Sequence, residues 1–180
     1  MSIVEPLRNK SDITKLENYL RIKNQRNYLI FIFGINTGLR ISDILKLNVE
    51  DVKDKKYLEI VEKKAKKYKR FPLNDKLITN INEYIKNKNT ASPLFVGIKG
   101  HRLNRSQVYR FLNEACKKCN VEIHIGTHTM RKTFGYHHYK KFNNIAILQK
   151  ILNHSTPNIT LTYIGISQDE IDYTYNNFTL

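Results

Sequence analysis

The sequence predicts a mainly α fold with one small antiparallel β-sheet, an α+β arrangement. Three observations carry that expectation. Apolar residues recur at helical spacing in most segments of the chain. Only one pair of short runs, 57–62 and 68–72, has the character of paired strands, and a charged loop joins them. Asn, Gly and Pro fall between these segments, where caps and turns are needed.

The first helix starts at Ser11 or Asp12 and puts Ile13, Leu16 and Leu20 on one face. The second covers 24–36. Its stretch from Tyr28 to Phe33 is apolar all round, which makes it central to the core. Gly38 ends it as a left-handed cap. A short helix follows with Ile41, Ile44, Leu45 and Leu47 inward, and then a short strand near 49–52. Beyond the hairpin, Asn74 caps a helix bearing Leu77, Ile78, Ile81, Tyr84 and Ile85. Pro93, Gly97 and Gly100 mark a loop. A helix over 105–119 turns Val108, Phe111, Leu112 and Ala115 inward. Arg102, Arg105, Arg110, Lys117 and Lys118 lie in or near its other face. Helices over 128–141 and 144–152 come next. Pro157 suits the first turn of another, which ends near Tyr163. Ser167-Gln-Asp-Glu170 matches a capping box and starts a tail helix over about 168–178, with Ile171 and Phe178 on one side.

The 180 residues suit one domain, with no linker, repeat or low-complexity stretch. A hydrophobic content of 41% argues against disorder. The net charge of +15 implies a polyanionic partner, nucleic acid ahead of a membrane surface. No apolar run is long enough to span a bilayer. The start, MSIVEPLRNKSD, lacks the apolar core of a signal peptide, so a cytoplasmic location is expected. Cys116 and Cys119 exclude a disulfide scaffold and read as two small residues on a half-buried helix. A zinc site would need two more ligands, and only His124 lies close in sequence, so no metal or cofactor is expected.

Cleaving a phosphodiester without metal requires cationic donors for the non-bridging oxygens, an activated nucleophile and a proton for the leaving alkoxide. Arginine suits the first task because its planar fork holds two oxygens at once. Histidine and lysine suit proton transfer. Tyrosine suits reversible attack, because the phosphotyrosyl bond conserves the energy of the bond that is cut. Arg40 follows a turn between apolar runs, and His128 and Arg131 stand at i and i+3 of one helix. His154 follows a helix end, and Tyr163 is one of 11 tyrosines.

Taken in order, these segments resemble the tyrosine recombinase, or phage integrase, family. Thr37-Gly-Leu-Arg-Ile-Ser-Asp-Ile-Leu45 resembles its first box, and Arg40 takes the arginine position. His128-Thr-Met-Arg131 resembles the HxLR box with Met for Leu. Leu152-Asn-His154-Ser resembles the LGHS box with Asn153 for Gly. Thr160-Leu-Thr-Tyr163 resembles the nucleophile box at the family's usual distance from His154. The resemblance places the family's lysine in the hairpin turn. Counting back from Pro72 and forward from Arg40 both reach Lys64, although the surrounding glycines are replaced by Glu62, Lys63 and Ala65.

The resemblance implies that Tyr163 attacks a phosphate of duplex DNA to form a 3′-phosphotyrosyl link, without metal or ATP. Arg40 and Arg131 would hold the oxygens, His154 would add a hydrogen bond, His128 would act as base and Lys64 as acid. Lys63, Lys66, Lys67, Arg102, Arg105 and Arg110 are expected on the DNA. The helix over 105–119 would enter a major groove. The tail would dock on a neighbouring protomer in a tetrameric synapse, with a monomer expected off DNA. Family members usually carry a separate N-terminal clamp domain. Here only a short helical segment comes before the helix leading to Arg40, which suits either the catalytic domain of a larger protein or a naturally minimal integrase of a phage or mobile element; the start MSIVEPL favours the minimal member, with an accessory DNA-binding protein or a long basic contact surface to compensate. A DNA-binding regulator that keeps the fold without strand exchange is the alternative.

Overall fold

The computed structural model describes residues 4–62, 64, 66–97, 99–166 and 173–179. Its organising element is α2 (Gln25–Thr37). Tyr28 through Gly34 are all buried, so this helix has no solvent face in its middle. The Asn24 side chain caps its start by accepting from the Asn27 N–H at 3.1 Å. α1 (Lys10–Lys23) packs along it through Leu16 and Leu20, and α4 (Asp75–Ile85) and α6 (Thr129–Phe142) cover other sides. α3 (Ile41–Ile44) is a single turn directly beyond its end.

The sheet is one antiparallel hairpin, β1 (Tyr57–Val61) and β2 (Tyr68–Pro72), in a register that sets Tyr57 opposite Pro72 and Val61 opposite Tyr68. Leu58 and Ile60 face the core while Tyr57, Glu59 and Val61 face out. The strand expected near 49–52 is instead a 3₁₀ turn, Val49–Asp51. The Asp51 carboxylate accepts from the Asn48 N–H at 2.8 Å, and the Val49 and Glu50 N–H groups bond Ser92 and Thr90 carbonyls. Asn48 keeps an isolated antiparallel bridge to Pro93, and the local Asp51 bond turns the chain aside from there.

The remaining helices begin at well-made caps. Asn74 accepts from Leu77 N–H, and Asn104 and Gln107 cap α5 (Arg105–Lys118) reciprocally at 3.0 and 2.9 Å. Asn144 caps α7 (Ile145–Leu152), and Thr156 caps α8 (Pro157–Ile164) with Pro157 in the first turn. The helix expected over 128–141 starts one residue later, so His128 is its N-cap. The capping box at 167–170 and Ile171 lie outside the described residues. Residues 173–176 are helical, and Tyr173, Tyr175 and Phe178 are exposed. Among the described residues no helix is long and apolar enough to cross a membrane.

Two apolar clusters result among the described residues. The larger joins α1 to α5, the hairpin and Met130 of α6. The smaller consists of Leu148, Leu152 and Ile164, with Phe134, Tyr139 and Tyr163 packed on it, and it fastens α7 and α8 to α6. Gly135 permits that docking, because a Cβ there would lie 2.7 Å from Ile164. Gly38 has two constraints. Its φ of 62° is left-handed, and a Cβ would meet the Phe134 ring at 2.4 Å. Gly38→Ala is therefore expected to destabilise the protein by about 2–4 kcal/mol, from left-handed strain plus overpacking. Urea denaturation of the two proteins measures it.

Candidate active site

The site forms where the turn after α2, the hairpin, the start of α6 and the α7–α8 corner meet. Arg131, on the first turn of α6, is buried. Its guanidinium donates to the Gly38 carbonyl at 2.5 Å and to the Leu152 carbonyl at 2.6 Å. It thereby links the α2 end to the α7 end. Arg40 follows Gly38 by two residues and keeps a partly open side chain, 18% exposed. Its Nη1 donates to Glu62 Oε1 at 3.1 Å. The same Glu62 oxygen is 3.9 Å from Arg131 Nη1, so one buried carboxylate serves both cations.

α7 ends in a left-handed residue, Asn153, with φ 50°. Asparagine tolerates this conformation next to glycine, which accounts for Asn153 in the box that resembles LGHS. Its side-chain amide donates to Glu62 Oε2. His154 leaves this corner with Nδ1 3.1 Å from the Thr160 hydroxyl. The same hydroxyl reaches the Thr156 carbonyl at 3.3 Å, and when it turns its proton to Nδ1 instead, Nε2 carries the ring proton and is free to donate to an anion.

Tyr163 lies on α8, against the small apolar cluster. Its hydroxyl is 3.2 Å from His128 Nδ1, and its ring meets the His154 ring edge-on at 4.9 Å between centroids. Burial raises the phenol's pKa, while Arg131 and then Arg40 pull against that rise. Burial and the charges of Arg131, Lys132, Arg40 and Lys64 lower the pKa of His128. A neutral imidazole therefore faces a protonated phenol, the pairing that general-base activation requires. Burial, with Arg131 and Arg40, pushes His154 down to about 4.

Lys64 is exposed in the hairpin loop, and its charge is felt at His128. Lys66, Lys67, Arg105 and Arg110 are exposed, the last two on α5. Lys63 lies outside the described residues. Arg102 is exposed as well, and its guanidinium donates to the Leu45 and Leu47 carbonyls at 3.2 and 2.9 Å and to the Asn48 side chain. Two residues that sequence reasoning did not place at the site lie beside it, Glu62, noted only as standing for a glycine, and Lys69. Lys69 donates to the Ile151 carbonyl at 2.8 Å, and burial lowers its pKa to about 8. Strand alternation was the available signal. Glu62 continues the inward parity of Leu58 and Ile60, and Lys69 shares a face with Phe71. Cys116 is buried and Cys119 half-buried, and among the described residues no group of three or more His, Cys, Asp or Glu converges.

A phenol with a neutral base on its hydroxyl and two guanidinium groups beside it defines a class of protein: a strand-breaking domain that works through a phosphotyrosine. Comparison with known proteins agrees. The sequence matches the phage integrase family over residues 9–170. It is 46% identical over 179 residues to the probable integrase/recombinase YoeC of Bacillus subtilis (strain 168), covering 99% of this chain and 98% of that one. It is 30% identical over 161 residues to a tyrosine recombinase of Pseudothermotoga lettingae, covering 89% of this chain and 56% of the relative. The chain thus spans nearly all of the first relative and little more than half of the second. Its fold superposes on the crystal structure of XerA recombinase with a TM-score of 0.79 at 18% identity, over 98% of this chain and 66% of that one. It superposes on the Tn1549 transposon integrase in complex with transposon right end DNA with a TM-score of 0.77 at 19% identity, over 97% and 67%. The chain belongs to the phage integrase family, the tyrosine recombinases, enzymes that cleave and rejoin DNA.

The depressed His154 pKa has a thermodynamic consequence. Between about 4 and the ordinary 6.5, the unfolded chain takes up a proton that the folded chain refuses. The contribution is complete above 6.5 and is lost as pH falls toward 4. Acidification through that window is expected to lower the urea midpoint, and less steeply in His154→Gln. Equal slopes for the two proteins would remove His154 as the cause.

Proposed function

We propose that this protein is a site-specific recombinase or integrase of a phage or mobile element, which cleaves and rejoins duplex DNA through a 3′-phosphotyrosyl intermediate. The placement of Tyr163 carries this reading, with its hydroxyl 3.2 Å from a neutral His128 and Arg131 and Arg40 acting on the same phenol. Tyr163 attacks the phosphorus as its proton passes to His128 Nδ1. Arg40 and Arg131 stabilise the charge that builds on the non-bridging oxygens, and His154 adds a donor. The 5′-oxygen departs with a proton from Lys64. A 5′-hydroxyl, original or from a partner duplex, then attacks the phosphotyrosine, and the phenol recovers its proton. The bond energy is conserved throughout, so rejoining requires no nucleotide.

Double-stranded DNA is the partner. The exposed Lys66, Lys67, Arg105 and Arg110 support phosphate contacts from the hairpin loop and α5, with steep salt dependence. Arg102 contributes by stiffening the loop before α5. A tetrameric synapse assembled through the C-terminal tail, an accessory DNA-binding protein and action in the cytoplasm complete the reading.

The test is covalent trapping on a nicked suicide duplex taken from DNA flanking the coding sequence. A protein–DNA adduct is expected from the unaltered protein and none from Tyr163→Phe, which still binds DNA. An adduct that survives this substitution moves the nucleophile elsewhere. Site-specific binding without adduct from the unaltered protein makes it a regulator. The acid is tested with a 5′-bridging phosphorothiolate, whose sulfur leaves without a proton. Lys64→Ala is expected to cleave ordinary DNA about 100-fold more slowly and the phosphorothiolate nearly normally. Rescue of Lys69→Ala in its place would assign the proton to the buried lysine.

A further inference from the structure

Glu62 is an acid that none of these roles uses. Its side chain is fully buried, at 0% exposure, which a carboxylate tolerates only when it is paired. One oxygen accepts from Arg40 at 3.1 Å and stands 3.9 Å from Arg131, and the other accepts from the Asn153 amide. Its backbone closes the hairpin loop that presents Lys64. Its N–H donates to the Lys67 carbonyl at 3.0 Å, and its carbonyl accepts from the Lys66 N–H at 2.8 Å. Asn153 is the left-handed residue immediately before His154. One carboxylate therefore meets the first arginine and the turn that carries the second histidine, from the base of the lysine loop.

We propose that Glu62 is a positioning residue for strand cleavage, holding Arg40 and the Asn153–His154 turn in register; this rests on the strand-cleaving reading above. No atom of Glu62 enters the bond changes. A charge-assisted hydrogen bond fixes one edge of the Arg40 guanidinium and leaves the rest of a partly open side chain for phosphate oxygens. The Asn153 bond restrains a left-handed corner that is held besides by Asn153 N–H on Lys150, His154 N–H on Gln149, and the Gln149 side-chain amide on the His154 carbonyl at 3.1 Å, and it is the bond that ties the Asn153 side chain to Glu62. A displacement of about 1 Å in either group costs on the order of 100-fold in rate.

The experiment compares single-turnover adduct formation at saturating protein with DNA affinity from gel shifts. Glu62→Ala is expected to slow adduct formation about 100-fold. Its affinity should hold or rise, since a negative charge has left a phosphate-binding site. Glu62→Gln keeps an acceptor for Arg40 and should recover about tenfold of that loss. Asn153→Gly suits the backbone, strands no buried charge and should slow cleavage about tenfold. The double variant Glu62→Ala/Asn153→Gly should be no slower than Glu62→Ala, because the two act as one unit. Asn153→Gly alone carries the test where Glu62→Ala does not fold.

Unchanged or faster cleavage would mean that Glu62 only occupies the place of the phosphate, and it overturns the inference. Additive losses, or a rate loss matched by an equal loss of affinity, overturn it as well. No adduct from the unaltered protein, on a duplex it binds site-specifically, defeats the strand-cleaving reading and this inference together. An adduct from the unaltered protein with undiminished rates in the variants defeats this inference alone.

Discussion

The catalytic face is assembled around one buried cation, the guanidinium of Arg131. Removing an ion from water costs several kcal/mol, which is offset only when its donors are satisfied and a counter-charge is near. Here the donors reach main-chain carbonyls 93 and 21 residues away, at Gly38 and Leu152, and the counter-charge is Glu62. Each of those carbonyls ends a helix and immediately precedes a reactive segment. Arg40 emerges two residues beyond one and His154 two residues beyond the other. The demand that a buried arginine be satisfied thus sets the distance between them.

The same concentration of positive charge governs proton chemistry. Arg40 and Arg131 act on His128, on His154 and on Lys69, and each of the three has a lowered pKa, with burial the leading cause. The imidazoles are consequently uncharged near neutral pH, one suited to take a proton and the other to lend a hydrogen bond. The phenol is affected in the opposite sense, since burial holds its proton on. The Tyr163 phenol therefore rests protonated beside an unprotonated His128 imidazole. The pocket stays cationic, since Glu62 balances its two arginines only in part.

Much of this was legible in the sequence. The unbroken apolar run of α2 announced a helix buried on all sides, and Gly38 announced its left-handed end. Asn74 marked the start of α4 and Pro157 the first turn of α8, where the structure places them. The Tyr163 pairing with His128 rests on ordered boxes, which a linear reading detects. What the sequence concealed depends on tertiary partners. Val49 and its neighbours look like a strand, yet a single Asp51-to-backbone bond turns them aside. Arg102 is the surface cation it looks like, and its bonds to the loop carbonyls of Leu45 and Leu47 were not legible in the sequence. Glu62 ends the first strand beside a run of lysines and nothing local announces its burial, because burial of a carboxylate makes sense only once both arginines are seen beside it.

The partition of the core into two clusters has a consequence for motion. The helices that carry His154 and Tyr163 rest on three fully buried side chains, Leu148, Leu152 and Ile164, whereas α2 is enclosed by the large cluster. Stability is not uniform in such an arrangement, and small cooperative units open at a lower free energy than the whole. The α7–α8 corner is such a unit, tied to the rest through Arg131, Gly135 and the Asn153 amide. Amide protons of α8 are therefore expected to exchange through local opening, ahead of those of α2. Tyr163 sits on the more easily released part, so any ligand that bridges α8 to the large cluster would also be the splint that holds it still.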